Sequence, residues 1–306
     1  MIQESPNLSR SPQPLDRSLL RRSLSLVVCA AAWLSASTQQ PSATQLPQPA
    51  GTPLSWIRAA VANELPIIAD NGTLPLRYRI HKIDTKGDVV REIIESRDGG
   101  VARLVERNGQ PITAAEDAAE RARLQAILDS PADFIKHHRR DSSSRDATCQ
   151  LVRQMPEAMI YTYAPGQPQL PNVAAPQVVL DFTPDPAFHN RTLASDLLTG
   201  LAGRIWIDAR TRRMTRVDGR VLKPVNFGWG ILGRIAPGGT ITLDQAEPTP
   251  NRWVYSRLDM HLTMRVFVKS LNVDDRMTAF DFQPLAVPVS VEQAVHLLLN
   301  TKIPLR

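Results

Sequence analysis

Two adjacent histidines, His137 and His138, followed by Asp141, form the densest local set of groups able to ligate a metal ion. Metal binding needs ligands that converge on one point, and neighbouring positions on a helix point about 100° apart. Arg139 and Arg140 follow directly and would repel a cation, so the cluster reads as a solvated helix end with its basic groups near the C-terminus. Carboxylate pairs offer general acid–base chemistry. Asp181 and Asp185 form one pair, in a proline-containing loop, and Asp274 and Asp275 form another, in a turn before a strand. Turn chemistry accounts for the latter, because aspartates bond to nearby backbone. His81, His189, His261 and His296 are isolated. The chain has no G-x-S-x-G elbow, no glycine-rich phosphate loop and no H-E-x-x-H pair. The sequence therefore assigns no catalytic residue, no metal ligand set and no cofactor. A hydrolase would have to assemble its site from distant segments.

Apolar side chains set among glycines are a different kind of candidate. Between Val225 and Gly239, the residues Phe227, Trp229, Ile231 and Leu232 are interleaved with Gly228, Gly230 and Gly233. In one reading this is an apolar flap over the mouth of a curled sheet, able to touch acyl chains or a membrane surface. In the other it is a glycine-bent strand that packs its aromatics inward. Met260 and Met264, with Met277, divide the same way, because methionine both lines adaptable cavities and fills irregular cores. Trp206, Phe227, Trp229, Ile231, Leu232, Met260 and Met264 are the candidate ligand-binding residues.

The N-terminus supplies an address. Arg17, Arg21 and Arg22 precede an apolar run from Leu24 to Leu34, and Ser35, Ala36 and Ser37 follow. Charge, a short apolar helix and small residues in that order are what a secretory signal requires, and the run is about half the ~20 residues of a membrane span. Residues 1–37 are expected to be a signal peptide, with an uncleaved anchor or lipidation at Cys29 as alternatives. The expected location is outside the cytoplasm, in the periplasm or cell envelope. Once the signal is removed Cys149 has no partner, so core packing rather than a disulfide must stabilise the domain. Cys149 itself reads as a buried structural thiol. The chain is basic, with a formal charge of +6. Its short arginine clusters, at 139–140 and 210–213, lack the interleaved aromatics of a single-strand platform, and no nucleic-acid partner is expected.

Residues 38–53 are rich in Gln, Pro, Ser and Thr and read as a linker, leaving 54–306 as a single domain. Trp56, Ile57, Ala60, Val61 and Leu65 have helical spacing over Leu54–Ile68. Leu76, Tyr78 and Ile80 alternate with polar residues as in a half-buried strand, and turns at Lys86-Gly87 and Asp98-Gly99 suggest an antiparallel meander. Thr113 and Glu116 have capping-box spacing at the start of a helical insertion over about 113–155. From Gly203 to Phe282 strand signals dominate, and a last helix spans Ser290–Leu299. The sum is about ten or eleven strands with a few helices: an α+β protein built on a large antiparallel sheet.

One segment has a recognisable pattern. Gly203-Arg204-Ile205-Trp206-Ile207-Asp208, followed by Thr211 and by Arg213-Met214-Thr215-Arg216, resembles the central hairpin of the lipoprotein-carrier (Lol) superfamily of exported bacterial proteins. The resemblance implies a sheet curled into an open, unclosed β-barrel with packed helices that shelters acyl chains. It implies a non-enzymatic envelope protein that binds a lipid or an acylated protein. The same fold also serves envelope sensors or scaffolds whose partner is another protein.

Overall fold

The computed structural model describes residues 49–69, 75–140, 142–189, 194–227, 233–266 and 269–306, without the side chains of 138–140, 142–144 and 227. These residues belong to a compact unit spanning Gln45–Arg306. The expected signal segment and most of the linker lie outside them. The described helices are α1 (Pro53–Ala69), α2 (Ala114–Asp129), α3 (Pro131–Arg140), α4 (Ser142–Ala158) and α5 (Val291–Asn300). The strands are β1 (Leu76–Asp84), β2 (Gly87–Ser96), β3 (Gly99–Arg107), β4 (Gln110–Pro111), β5 (Met159–Tyr163), β6 (Gln177–Pro184) and β7 (Leu201–Asp208), then β8 (Met214–Val221), β9 (Val225–Phe227), β10 (Gly233–Ile235), β11 (Thr240–Thr249), β12 (Arg252–Val266) and β13 (Lys269–Pro284). The short β4 had no counterpart in the sequence pattern, because two residues are too few to show a period, whereas β9 and β10 fall within the glycine-rich stretch 225–239 that the sequence offers as a flap or a glycine-bent strand. Capping boxes at Thr113/Glu116 and Ser290/Gln293 start α2 and α5 where the sequence places them.

The strands form one open antiparallel sheet in the order β4-β3-β2-β1-β13-β12-β11-β8-β7-β6-β5, with β9 and β10 attached beside β12. Directly paired residues share a face. One face can therefore be followed through Leu180, Ile205, Val217, Leu243, Leu258 and Met277 from β6 to β13, and through Ala279 to Ile80 on β1. On this face, at the β5–β8 end, α1 and α4 pack Trp56, Ile57, Val61, Val152 and Met155 against Val178, Leu180, Phe182, Ile205 and Ile207. At the other end Ile80 lies opposite Arg91, so Ile94 points to the reverse face. There it joins Val101 beneath Leu124 of α2 and Val291, Val295 and Leu298 of α5. The helices thus divide between two faces at opposite ends.

Both regions have local devices that fix them. Along the outer edge of β3, the backbone N–H of Leu104 donates to Glu120 Oε2 at 3.0 Å, and Arg123 Nη2 donates to the Ala102 carbonyl. Side chains of α2 thereby occupy backbone groups that an edge strand leaves open. In the β7–β8 hairpin, a Cβ on Gly203 would lie 1.9 Å from the Asp218 carbonyl oxygen, so only glycine permits that approach. Asp208 Oδ1 accepts from the backbone N–H groups of Arg210 and Thr211 at 2.8 and 2.7 Å. Arg212 completes the turn at φ +59°.

The aspartate pair at 274–275 departs from expectation. Both residues lie inside β13, opposite His261 and Met260, and not in a turn. The long β12–β13 arm is exposed over this stretch, so polar residues are tolerated throughout it. Cys149, on α4, is only partly buried.

Candidate functional site

Helix α1 brings an acid into the core. Ile57, Ala60, Val61 and Glu64 recur at the three- and four-residue spacing of one helical face, and all four are buried, with Glu64 only 2% exposed. Beneath that face the sheet and α4 leave a cavity of about 270 Å³. Leu151, Val152 and Met155 of α4 form one wall, and Met159, Phe182, Met214, Val217, Ile241 and Leu243 of the sheet form the other. Glu64, Gln245 and Tyr255 close one end. Tyr255 also borders a second cavity of about 240 Å³, between Ile67 of α1 and Tyr78, Ile80, Met277 and Phe282 of the sheet, with the ion pair of Arg252 and Glu95 in its wall. Tyr255 therefore stands at the junction of two chambers on one face, with Glu64 and Gln245 beside it on the first.

Hydrogen bonding at the junction is lopsided. Gln245 Nε2 donates to Glu64 Oε2 at 2.5 Å and the Tyr255 hydroxyl donates to the same oxygen at 3.3 Å. Glu64 Oε1 and Gln245 Oε1 are buried and have no hydrogen-bond partner. Burial raises the Glu64 carboxyl above its ordinary value; Gln245, the backbone N–H of Met214, Tyr255 and the charge of Arg213 offset this only in part. Burial also pushes the Tyr255 hydroxyl up, and the neighbouring carboxylate adds to the effect, so Tyr255 stays a donor. A buried polar atom without a partner is uncommon, because it forfeits its bonds to water. Here two of them belong to side chains that line an apolar cavity.

A larger open groove of about 640 Å³ runs between Trp56 and the loop from Gln167 to Gln177. Much of its wall is loop, and no buried titratable group faces it. The groups that suggested reaction chemistry are engaged elsewhere. Asp181 holds Arg204 through two hydrogen bonds of 2.6 and 3.1 Å, and Asp185 accepts from the backbone of Ala187. His81 bonds Asp88, His261 bonds Asp274, and His137 Nδ1 lies 2.7 Å from the Asp133 carbonyl. Neither chamber is lined by a histidine. Among the described residues no group of three His, Cys, Asp or Glu is placed to hold a metal ion. No described helix is long and apolar enough to cross a membrane.

The chain matches no family model, no curated protein and no solved structure. The geometry must speak for itself.

The residues singled out from sequence separate. Trp206 points to the face opposite the cavity, as its pairing with Arg216 requires. There it packs with Ala164, Leu170 and Val179, and its indole N–H donates to the Pro168 carbonyl at 2.8 Å. It anchors a loop. Met260 and Met264 lie on the cavity face but farther along the sheet, packed with Val221, Val225, Ile235 and Leu262. That cluster adjoins the cavity through Leu201 and Ile241. Trp229, Ile231 and Leu232 lie outside the described residues, as does the side chain of Phe227. Sequence reasoning missed Glu64, Gln245 and Tyr255. A signal existed for the first: an acid that continues the apolar stripe of α1.

Proposed function

We propose that this chain is a non-enzymatic exported envelope protein that holds a lipid or acylated ligand in the apolar hollow between α1, α4 and the sheet. The observation that carries the reading is the cavity of about 270 Å³, whose walls are almost wholly aliphatic, aromatic and methionine side chains. A dry cavity of ~150 Å³ accommodates benzene, so this one has room for a body of roughly ten heavy atoms. The second chamber beyond Tyr255 offers continuation for a longer chain. Apolar walls with a few polar groups at one end suit an amphiphile, with burial of the chain providing affinity and the polar end fixing orientation. The signal-like N-terminus and the resemblance of the Trp206 hairpin to the lipoprotein-carrier superfamily agree with it.

Native mass spectrometry of the full chain, released gently from the host envelope, tests this. The expected spectrum contains a protein species carrying a small hydrophobic mass that organic extraction removes. A ligand-free spectrum, with a stoichiometric protein partner recovered instead, would replace lipid binding with a scaffold role.

A further inference from the structure

The two partnerless oxygens at the chamber junction say something about the ligand's head. Glu64 Oε1 and Gln245 Oε1 are both acceptors, both buried, and both belong to side chains that line the cavity. The donors nearby already have partners of their own. Gln245 Nε2 and the Tyr255 hydroxyl are used by Glu64 Oε2. Arg213 Nη1 donates to the Asn63 carbonyl at 2.8 Å, while its guanidinium faces the Trp253 ring. Arg216 turns its side chain to the reverse face with Trp206 and is held there by Asp244 through two bonds of 2.6 and 3.0 Å. What these two oxygens lack is a donor.

We propose that Glu64 and Gln245 form the head-group subsite of the cavity, and that it selects an uncharged, hydroxyl-bearing amphiphile whose O–H donates to these oxygens. This rests on the reading of the cavity as a lipid site and deepens it. An O–H group fits either protonation state of Glu64. If the acid is ionised, the single O–H proton goes to one of the two oxygens or is shared between them; if it carries a proton on Oε1, the ligand oxygen accepts from Glu64 while its own proton goes to Gln245. A carboxylate head brings more acceptors, and a negative charge beside the Glu64 carboxyl. An ether can accept but not donate, and so leaves the Gln245 oxygen without a partner. Buried acceptors left unmatched make hydrogen-bonding sites discriminate strongly against analogues that lack the donor.

The test compares isomers. Decanol and methyl nonyl ether have the same atoms and nearly the same length, and only decanol donates a hydrogen bond. Calorimetric titration of the full chain should show decanol binding at least about tenfold more tightly than the ether, with ionised decanoate weakest at neutral pH. Replacing Gln245→Met should shrink the preference for decanol over the ether while both still bind. Circular dichroism confirms that the variant folds, and the wild-type comparison stands without it. Equal affinity for the two isomers, or tightest binding of decanoate, overturns the head-group assignment and leaves the cavity reading intact. If none of the three binds, both fall.

Discussion

Two buried carboxylates, one at the β3 end of the sheet and one over its middle strands, have opposite circumstances. Asp117, on α2, has both oxygens occupied: Oδ1 accepts from Arg103 Nη2 at 2.6 Å and Oδ2 from Arg121 Nε at 2.8 Å. Arg103 is fully buried, and its Nη1 also donates to the carbonyls of Leu298 and Thr301. That network ties α2, β3 and the end of α5 together. Burial alone would raise the Asp117 pKa, but the two arginines hold it below its ordinary value. Glu64 has no such cation bonded to it. It keeps one oxygen unmatched beside a hollow, and burial raises its pKa. A buried acid that is fully paired serves the fold, whereas one left half-paired next to empty apolar space is available to a ligand.

The largest expected effect breaks the paired end. Arg103→Met leaves Asp117 buried and short of its main cation, and should destabilise the domain by about 3–5 kcal/mol in urea unfolding. Glu64→Gln, an isosteric change at a site without a bonded cation, should shift stability by under ~1 kcal/mol at or below pH 4.5, where the acid keeps its proton. Similar losses in the two variants would erase the contrast.

Next in size is Trp206→Ala. Removing a buried indole should lower stability by roughly 3–5 kcal/mol, yet decanol affinity of the folded fraction should stay unchanged, because the ring lies on the face away from the cavity. Weakened binding by the folded variant would return Trp206 to the ligand site.

How the sequence prepared these assignments depends on the range of the signal. Helices α2 and α5 were legible because capping boxes lie within four residues, and β1 because its apolar positions alternate along one strand. The division of helices between two faces was not legible: it depends on pairings such as Ile80 with Ala279, about two hundred residues apart. Trp206 shows the same limit. Its hairpin stood out, but which face a strand turns inward is set by the elements packed against it. Gln245 and Tyr255 gave no signal of their own, since a register shift between β11 and β12 brings them opposite one another.

A smaller effect sharpens the comparison through pH. A group whose folded pKa is raised, as for Glu64, adds stability in full below its unfolded value of 4.5 and loses it as pH rises through the folded pKa. Asp117 runs the other way: its contribution is present above 3.8 and is lost as pH falls through the depressed folded value. Relative to Glu64→Gln, the wild type should therefore lose stability as pH rises from 4.5 toward neutrality, by about 1.4 kcal/mol for each unit of pKa elevation. A wild-type curve parallel to that of the variant over this range would contradict the raised carboxyl.

The central claim is that the hollow beneath α1 and α4 is where ligand binds, and filling it tests that most directly. Leu243→Trp places an indole in the cavity from the sheet side. Calorimetric titration with decanol should give one saturable site in the wild type and none in the variant, with the variant's circular dichroism unchanged. Equal binding by the two proteins would put the ligand elsewhere and contradict the account.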